Sequence, residues 1–185
     1  AKSNSNSNIG SSSQIQTVSK PKQSSEDKPV IGDKEVSKSY EWDDNEHRLR
    51  YTVIINPEGK QFLSDSRTLT FKDVLTYANK TYSSVETLWQ MDIMPASVKF
   101  REAIKQEDGT YKAGDTVEGC TWTYDAVTGE HDYESSTRTI NASIPDGKAI
   151  MLTYTYQVNA TILGKVDQWN QPHMNATNTA SLEGI

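Results

Sequence analysis

From Glu35 onward the chain is written in period two. In Val36-Ser37-Lys38-Ser39-Tyr40-Glu41-Trp42 the even positions carry Val, Lys, Tyr and Trp, and the odd positions carry Ser, Ser and Glu. Arg48 to Asn56 repeats the pattern, with Leu49, Tyr51, Val53 and Ile55 on one face. Successive side chains of a strand point to opposite faces, so this alternation sets one face against a core and the other toward water. Turn signals bound the runs: Pro57-Glu58-Gly59, Asp108-Gly109, Thr128-Gly129 and Pro145-Asp146-Gly147. Further strands are expected over Thr68 to Leu75, Val98 to Ile104, Thr110 to Tyr111, Thr121 to Tyr124, Thr137 to Ile144, Ala149 to Val158 and Ala176 to Leu182. About eight to ten short strands of this kind predict an all-β, immunoglobulin-like antiparallel β-sandwich. The one stretch with a helical signal is Val74 to Trp89. There Val74, Tyr77, Ala78 and Thr81 are spaced for a short helix, which Asn79, Thr81 and two serines weaken.

A chain of 185 residues has room for one domain of about 150 residues and a tail. Residues 1–34 are dominated by Ser, Asn, Lys and Gln and bury too little apolar surface to offset ordering entropy. They read as a flexible linker or a vector-derived remnant, which leaves residues 35–185 as the domain. The net charge is -6; residues 1–34 hold 5 Lys+Arg and 3 Asp+Glu, so the remaining 14 against 22 give the domain -8. So acidic a domain argues against nucleic acid as a partner. A single cysteine, Cys120, excludes an internal disulfide and a Cys-rich zinc site, and His47, His131 and His173 have no metal-ligand spacing. The reading therefore includes neither metal nor cofactor. No apolar run approaches the roughly 18 residues of a membrane span. Because the first residue is Ala with no apolar signal core behind it, the chain reads as a piece of a longer or processed protein.

Applied strictly, the alternation places three polar residues on apolar faces. Lys38 shares a face with Val36, Tyr40 and Trp42; Asp73 shares one with Leu69, Phe71 and Leu75; Asn178 shares one with Ala176, Ala180 and Leu182. Inward polar groups must be satisfied, strained or functional. A lysine, an aspartate and an asparagine in one core can carry out a definite reaction. The amine attacks the asparagine side-chain carbonyl and expels ammonia, leaving an amide crosslink between Lys38 and Asn178. Burial disfavours charge on an amine and on a carboxylic acid alike, which favours the neutral nucleophile and the neutral acid the reaction needs. Asp73 is the candidate catalytic residue, polarising the carbonyl and passing the proton to the leaving group. Lys34 is an alternative nucleophile and Asn175 an alternative acceptor.

In these residues the chain resembles the intramolecular isopeptide-bonded β-sandwich domains of Gram-positive pilins and collagen-adhesin surface proteins. Lys38 in the first strand is followed by Tyr51-Thr52-Val53-Ile54-Ile55-Asn56, similar to the family's Y-T-I-x-x-N strand. Thr70-Phe71-Lys72-Asp73-Val74-Leu75 resembles the strand that carries the acid, Ile144 to Lys148 the I-P-D-G-K turn, and Thr153 to Val158 the T-Y-x-Y-x-V strand. Asn178-Thr179-Ala180-Ser181-Leu182 matches the closing N-x-A-x-L. The order Lys, Asp, Asn is similar to the collagen-adhesin A-type (Cna-type) arrangement, which uses Asp as the acid. The segments from Asp73 to Val98 and from Gln157 to Asn175 are longer than the family pattern. The resemblance covers about residues 35–185 and implies a structural module of an extracellular, cell-wall-anchored adhesin or pilus. Its partners would be neighbouring domains of the same surface protein and a host protein or glycan ligand.

The rival reading is a ligand-binding adhesin domain. Trp169, flanked by Asp167, Gln168, Asn170 and Gln171, is its candidate ligand contact, whereas Trp42 falls on a core face. Cys120 is expected to be an unreactive thiol, and Asp43-Asp44-Asn45-Glu46 a solvated turn rather than a calcium loop. No histidine lies in a motif with a nucleophile, so a conventional hydrolase is the weakest reading.

Overall fold

The computed structural model describes residues 11–16, 21–22, 25–26, 35–64, 68–81, 85–167, 169 and 173–184. The strands in chain order are β1 (Ser11–Gln16), β2 (Pro21–Lys22), β3 (Ser25–Glu26), β4 (Val36–Asp43) and β5 (Arg48–Ile55), then β6 (Thr68–Ala78), β7 (Lys80–Thr81), β8 (Glu86–Ile93), β9 (Lys99–Lys105) and β10 (Tyr111–Thr116), and finally β11 (Thr121–Val127), β12 (Ser135–Pro145), β13 (Ile150–Leu163) and β14 (His173–Gly184). They form two antiparallel sheets, one in the order β11-β12-β6-β14-β1-β2, the other β10-β9-β13-β5-β4-β3. Strand β13 serves two neighbours on one edge. Its Ile150–Thr153 half pairs with β9 and its Tyr156–Leu163 half with β8. The junction is filled by the 3-10 turn Pro95–Ser97, where the Thr155 N–H donates to Ser97 Oγ (2.8 Å) and the Met94 N–H to the Thr155 carbonyl (2.9 Å).

The alternation is what closes these sheets on each other. Phe71, Leu75 and Tyr77 of β6, Ile140 and Ile144 of β12 and Met174 and Leu182 of β14 join Leu49, Tyr51, Val53, Leu152, Tyr154 and Met91 of the other sheet in one buried cluster. The fold is therefore an all-β antiparallel sandwich. The helix expected within Val74 to Trp89 is not formed: β6 runs to Ala78, and β7 and β8 follow. Extended, β6 buries Leu69, Phe71, Asp73, Leu75 and Tyr77 on one face. β8 likewise buries Thr87, Trp89, Met91 and Ile93. A short helix built from Thr, Asn and Ser offers no comparable burial. Within residues 1–34, β1 pairs with His173–Asn178 of β14, and β3 with Ser37–Lys38 of β4.

Two of the turn motifs have local physical work. Asn56 takes a left-handed φ of 54°, and its side chain spans the turn, donating to the Lys60 carbonyl and accepting from the Lys60 N–H, both at 2.9 Å. Asp146 accepts from the backbone N–H of Phe62 (2.9 Å), Leu63 (2.7 Å) and Gly147 (2.8 Å) and from Gln61 Nε2 (3.0 Å), which pins the loop before β6 against the β12–β13 turn. Gly147 has φ 79°, and a Cβ there would meet Gln61 Oε1 at 2.5 Å, so glycine suits both the turn and the clamp. Asp146→Ala is expected to cost about 2–3 kcal/mol in urea unfolding, the scale of hydrogen bonds to a charged acceptor. An unchanged midpoint would show that the loop holds itself.

Candidate functional site

Lys38, Asp73 and Asn178 come from three strands on two sheets. Lys38 projects inward from β4 beside Val36, with Ser37 and Ser39 exposed on the opposite face. Asp73 sits on β6 between Phe71 and Leu75. In the β6–β14 ladder Asp73 is opposite Ala180 and Asn178 opposite Leu75, so the carboxyl and the amide are diagonal neighbours on the inner face. All three are buried, at 5%, 0% and 1% exposure.

The polar groups form a chain of contacts. Lys38 Nζ lies 2.7 Å from Asp73 Oδ2. The Tyr154 hydroxyl, inward from β13, donates to the same Oδ2, and Asn178 Nδ2 donates to the Tyr154 oxygen at 3.3 Å. Tyrosines enclose the cluster. The Tyr51 ring stacks on Tyr154 at 5.4 Å between centroids and lies 5.6 Å from Lys38 Nζ, while Tyr156 meets Tyr154 edge-on at 5.9 Å. Burial, then the neighbouring Asp73, pushes the Tyr154 and Tyr156 phenols well above their ordinary range, and Tyr51 is raised by the same two causes. These phenols stay protonated.

Asp73 Oδ1 and Asn178 Oδ1 have no hydrogen-bond partner although both are buried. An unmade buried hydrogen bond costs about 1–3 kcal/mol, so the two acceptors are unspent capacity on the inner faces. They are the oxygen that an attacking amine would drive negative and the carboxyl oxygen that could carry a proton. Of the alternatives, Lys34 lies outside the described residues, and Asn175 is exposed on the opposite face of β14 from Asn178.

A second buried cation was not singled out by the sequence. Arg138 on β12 is 2% exposed and uses every N–H. Nε donates to the Met91 carbonyl (2.8 Å). Nη1 donates to those of Val127 (3.3 Å) and Thr137 (2.9 Å), and Nη2 to the Tyr77 hydroxyl (3.0 Å) and Thr128 Oγ1 (3.2 Å). Alternation would have found it, since Arg138 shares a face with Ile140, Ala142 and Ile144.

Trp169 is 83% exposed, and Trp42 is half-buried against the core. A separate groove of about 590 Å³ crosses the outer face of the second sheet, where Arg50, Thr52, Lys99, Arg101, Thr153 and Thr155 line it. Cys120 is half-buried and burial pushes its thiol up to about 11, which keeps it protonated near neutrality. Asp43 accepts the backbone N–H groups of Asn45 and Glu46 and the Arg50 guanidinium, and these bonds lower its carboxyl. It organises a turn. Among the described residues no group of His, Cys, Asp and Glu could hold a metal, and no helix is long and apolar enough to cross a membrane.

No family model matches this chain, and no curated protein matches it. Among solved structures it is similar to ACE19, the collagen-binding subdomain of the Enterococcus faecalis surface protein ACE. That likeness has a TM-score of 0.35 at 11% identity over 80% of this chain and 94% of that one. It is also similar to a loop-swap mutant of Xyn11A from Necallimastix patriciarum, with a TM-score of 0.23 at 8% identity over 99% of this chain and 92% of that one. Likeness at this level carries no function across.

Proposed function

We propose that residues 35–185 are a structural module of a cell-surface adhesin or pilus that joins Lys38 Nζ to Asn178 Cγ autocatalytically, assisted by Asp73 as the proton carrier. Residues 1–34 would be the segment linking it to a neighbouring domain. The observation that carries this reading is the inter-sheet contact of Lys38 with Asp73 beside Asn178, at full burial and with two acceptor oxygens unspent. A surface ion pair would have needed none of that. The chemistry is a single turnover. The amine forms a bond to Cγ, the Cγ–Nδ2 bond breaks, and ammonia leaves with the proton that the amine gives up. Held in contact, such groups react with an advantage on the order of 7 to 11 kcal/mol over free reactants. A crosslink between the first strand of the domain and the last would carry tension through a covalent bond, which suits an extracellular stalk.

The test is the intact mass of the folded protein. Condensation of an amine with a primary amide lowers it by about 17 Da. Digestion is expected to yield one branched peptide containing Lys38 and Asn178. An unmodified mass in the folded chain would overturn the reading in favour of ligand binding, for which exposed Trp169 and the Arg50–Lys99–Arg101 groove are the surface features.

A further inference from the structure

The crosslinking reaction needs a proton at an atom that Asp73 is not seen to touch. The amine loses a proton on the Lys38 side of the cluster, and the departing nitrogen is Asn178 Nδ2. Asp73 Oδ2 contacts Lys38 Nζ and the Tyr154 hydroxyl; the Asn178 amide donates to the Tyr154 hydroxyl and also reaches that of Tyr51, but of the two phenols it is Tyr154 that also bonds Asp73 Oδ2. Tyr154 therefore stands between the proton's source and its destination.

We propose that the Tyr154 hydroxyl relays the proton from Asp73 Oδ2 to Asn178 Nδ2 in the step that releases ammonia. This rests on the crosslinking reading above and assigns to it a residue that alternation alone classes as core. The steps balance as follows. Nζ adds to Cγ, and the carbonyl π electrons move to Oδ1. Asp73 Oδ2 takes one proton from the former amine. With Oδ2 protonated, the phenolic hydrogen is free to turn from Oδ2 toward Nδ2, which gained a basic lone pair when its amide conjugation was lost at the tetrahedral carbon. Tyr154 gives its hydrogen to Nδ2 as it receives the one on Oδ2. The Cγ–Nδ2 electrons leave with nitrogen, the carbonyl re-forms, and ammonia departs. Tyr154 ends as a phenol and Asp73 as the carboxylate that first accepted the proton; of the amine's two hydrogens one leaves in ammonia and the other stays on the new amide nitrogen. Burial and the adjacent carboxylate oppose ionisation of this phenol, so the exchange is concerted and no tyrosinate forms.

The experiment starts from chain purified under denaturing conditions before it has folded, diluted into native buffer and sampled by intact mass. Tyr154→Phe keeps the ring stacked on Tyr51 and removes only the hydroxyl. It is expected to lose ammonia about 10²-fold more slowly or less than that again, the usual contribution of a positioned proton donor. Tyr156→Phe removes a neighbouring buried hydroxyl that has no partner and is expected to react at the wild-type rate. A merely structural role would not alter the isotope signature, so the wild-type rate is also read in mixtures of H2O and D2O. Two protons in flight give a bowed dependence on deuterium fraction, and this readout does not depend on how well a variant folds. Tyr154→Phe reacting as fast as wild type, or a straight-line dependence in wild type, would overturn the relay while leaving the crosslink intact. No mass loss in wild type would overturn both.

Discussion

Asn178→Ala is expected to lower the melting temperature by roughly 10–20 °C, because it removes the acceptor while leaving the Lys38–Asp73 contact in place. The proposed crosslink would close a loop from residue 38 to residue 178, a span of about 140 residues, and the loop-entropy relation puts such closure near 5 kcal/mol. Asp73→Ala is expected to fall further. It too would prevent the crosslink, and it removes the 2.7 Å carboxylate contact of the buried Lys38 Nζ, which adds about 3–5 kcal/mol. Calorimetry on both variants separates the two contributions, and intact mass verifies that each is unmodified. An Asn178→Ala protein melting with wild type would mean that no covalent constraint operates in the native chain, whatever the geometry allows.

Arg138→Met is expected to destabilise the sandwich by about 3–4 kcal/mol through lost hydrogen bonds and the lost ion pair with Asp92, with no crosslink chemistry involved. The guanidinium reaches from β12 of one sheet to the Met91 carbonyl on β8 of the other, and also holds Tyr77 and the turn at Val127 and Thr128. Methionine fills much of the volume but satisfies none of those acceptors. Lysine, with a compact three-proton head, cannot fork across them, so Arg138→Lys is expected to recover only part of the loss. Urea midpoints give the magnitude. Hydrogen exchange gives the location, since faster exchange of the Glu86–Ile93 amides is the local signature of an untied β8. A midpoint equal to wild type would show that the acceptors find water or one another.

Most of the framework was legible because strict alternation is hard to satisfy in any other way. The inward set of β5, Leu49, Tyr51, Val53 and Ile55, and the inward polar residues Lys38, Asp73 and Asn178 were all readable from parity. β8 was not. Its Thr87, Trp89, Met91 and Ile93 also alternate, but the spacing of Val74, Tyr77, Ala78 and Thr81 mimicked one face of a helix and drew the boundary in the wrong place. Tyr154 was legible as a core residue and illegible as a polar one. A tyrosine at an inward position scores like any large hydrophobe, and only three-dimensional packing reveals what its hydroxyl meets. Arg138 alternates with Thr137 and Thr139 and is legible as an inward position by the same parity. The groove on the second sheet combines residues of β5, β9 and β13 that lie far apart in the chain, so no local pattern announces it.

The division of the reactive groups between the sheets bears on quality control. Lys38 belongs to β4, whereas Asp73 and Asn178 belong to β6 and β14. A one-residue slip of β4 would turn Lys38 to the solvent side, and an unclosed sandwich would leave it remote from its acceptor. Bond formation would thus discriminate between correctly and incorrectly assembled copies, committing only the former. In a filament built of many such units, each link would certify its own folding before bearing load, and copies that never reacted would remain the ones that proteases can clear.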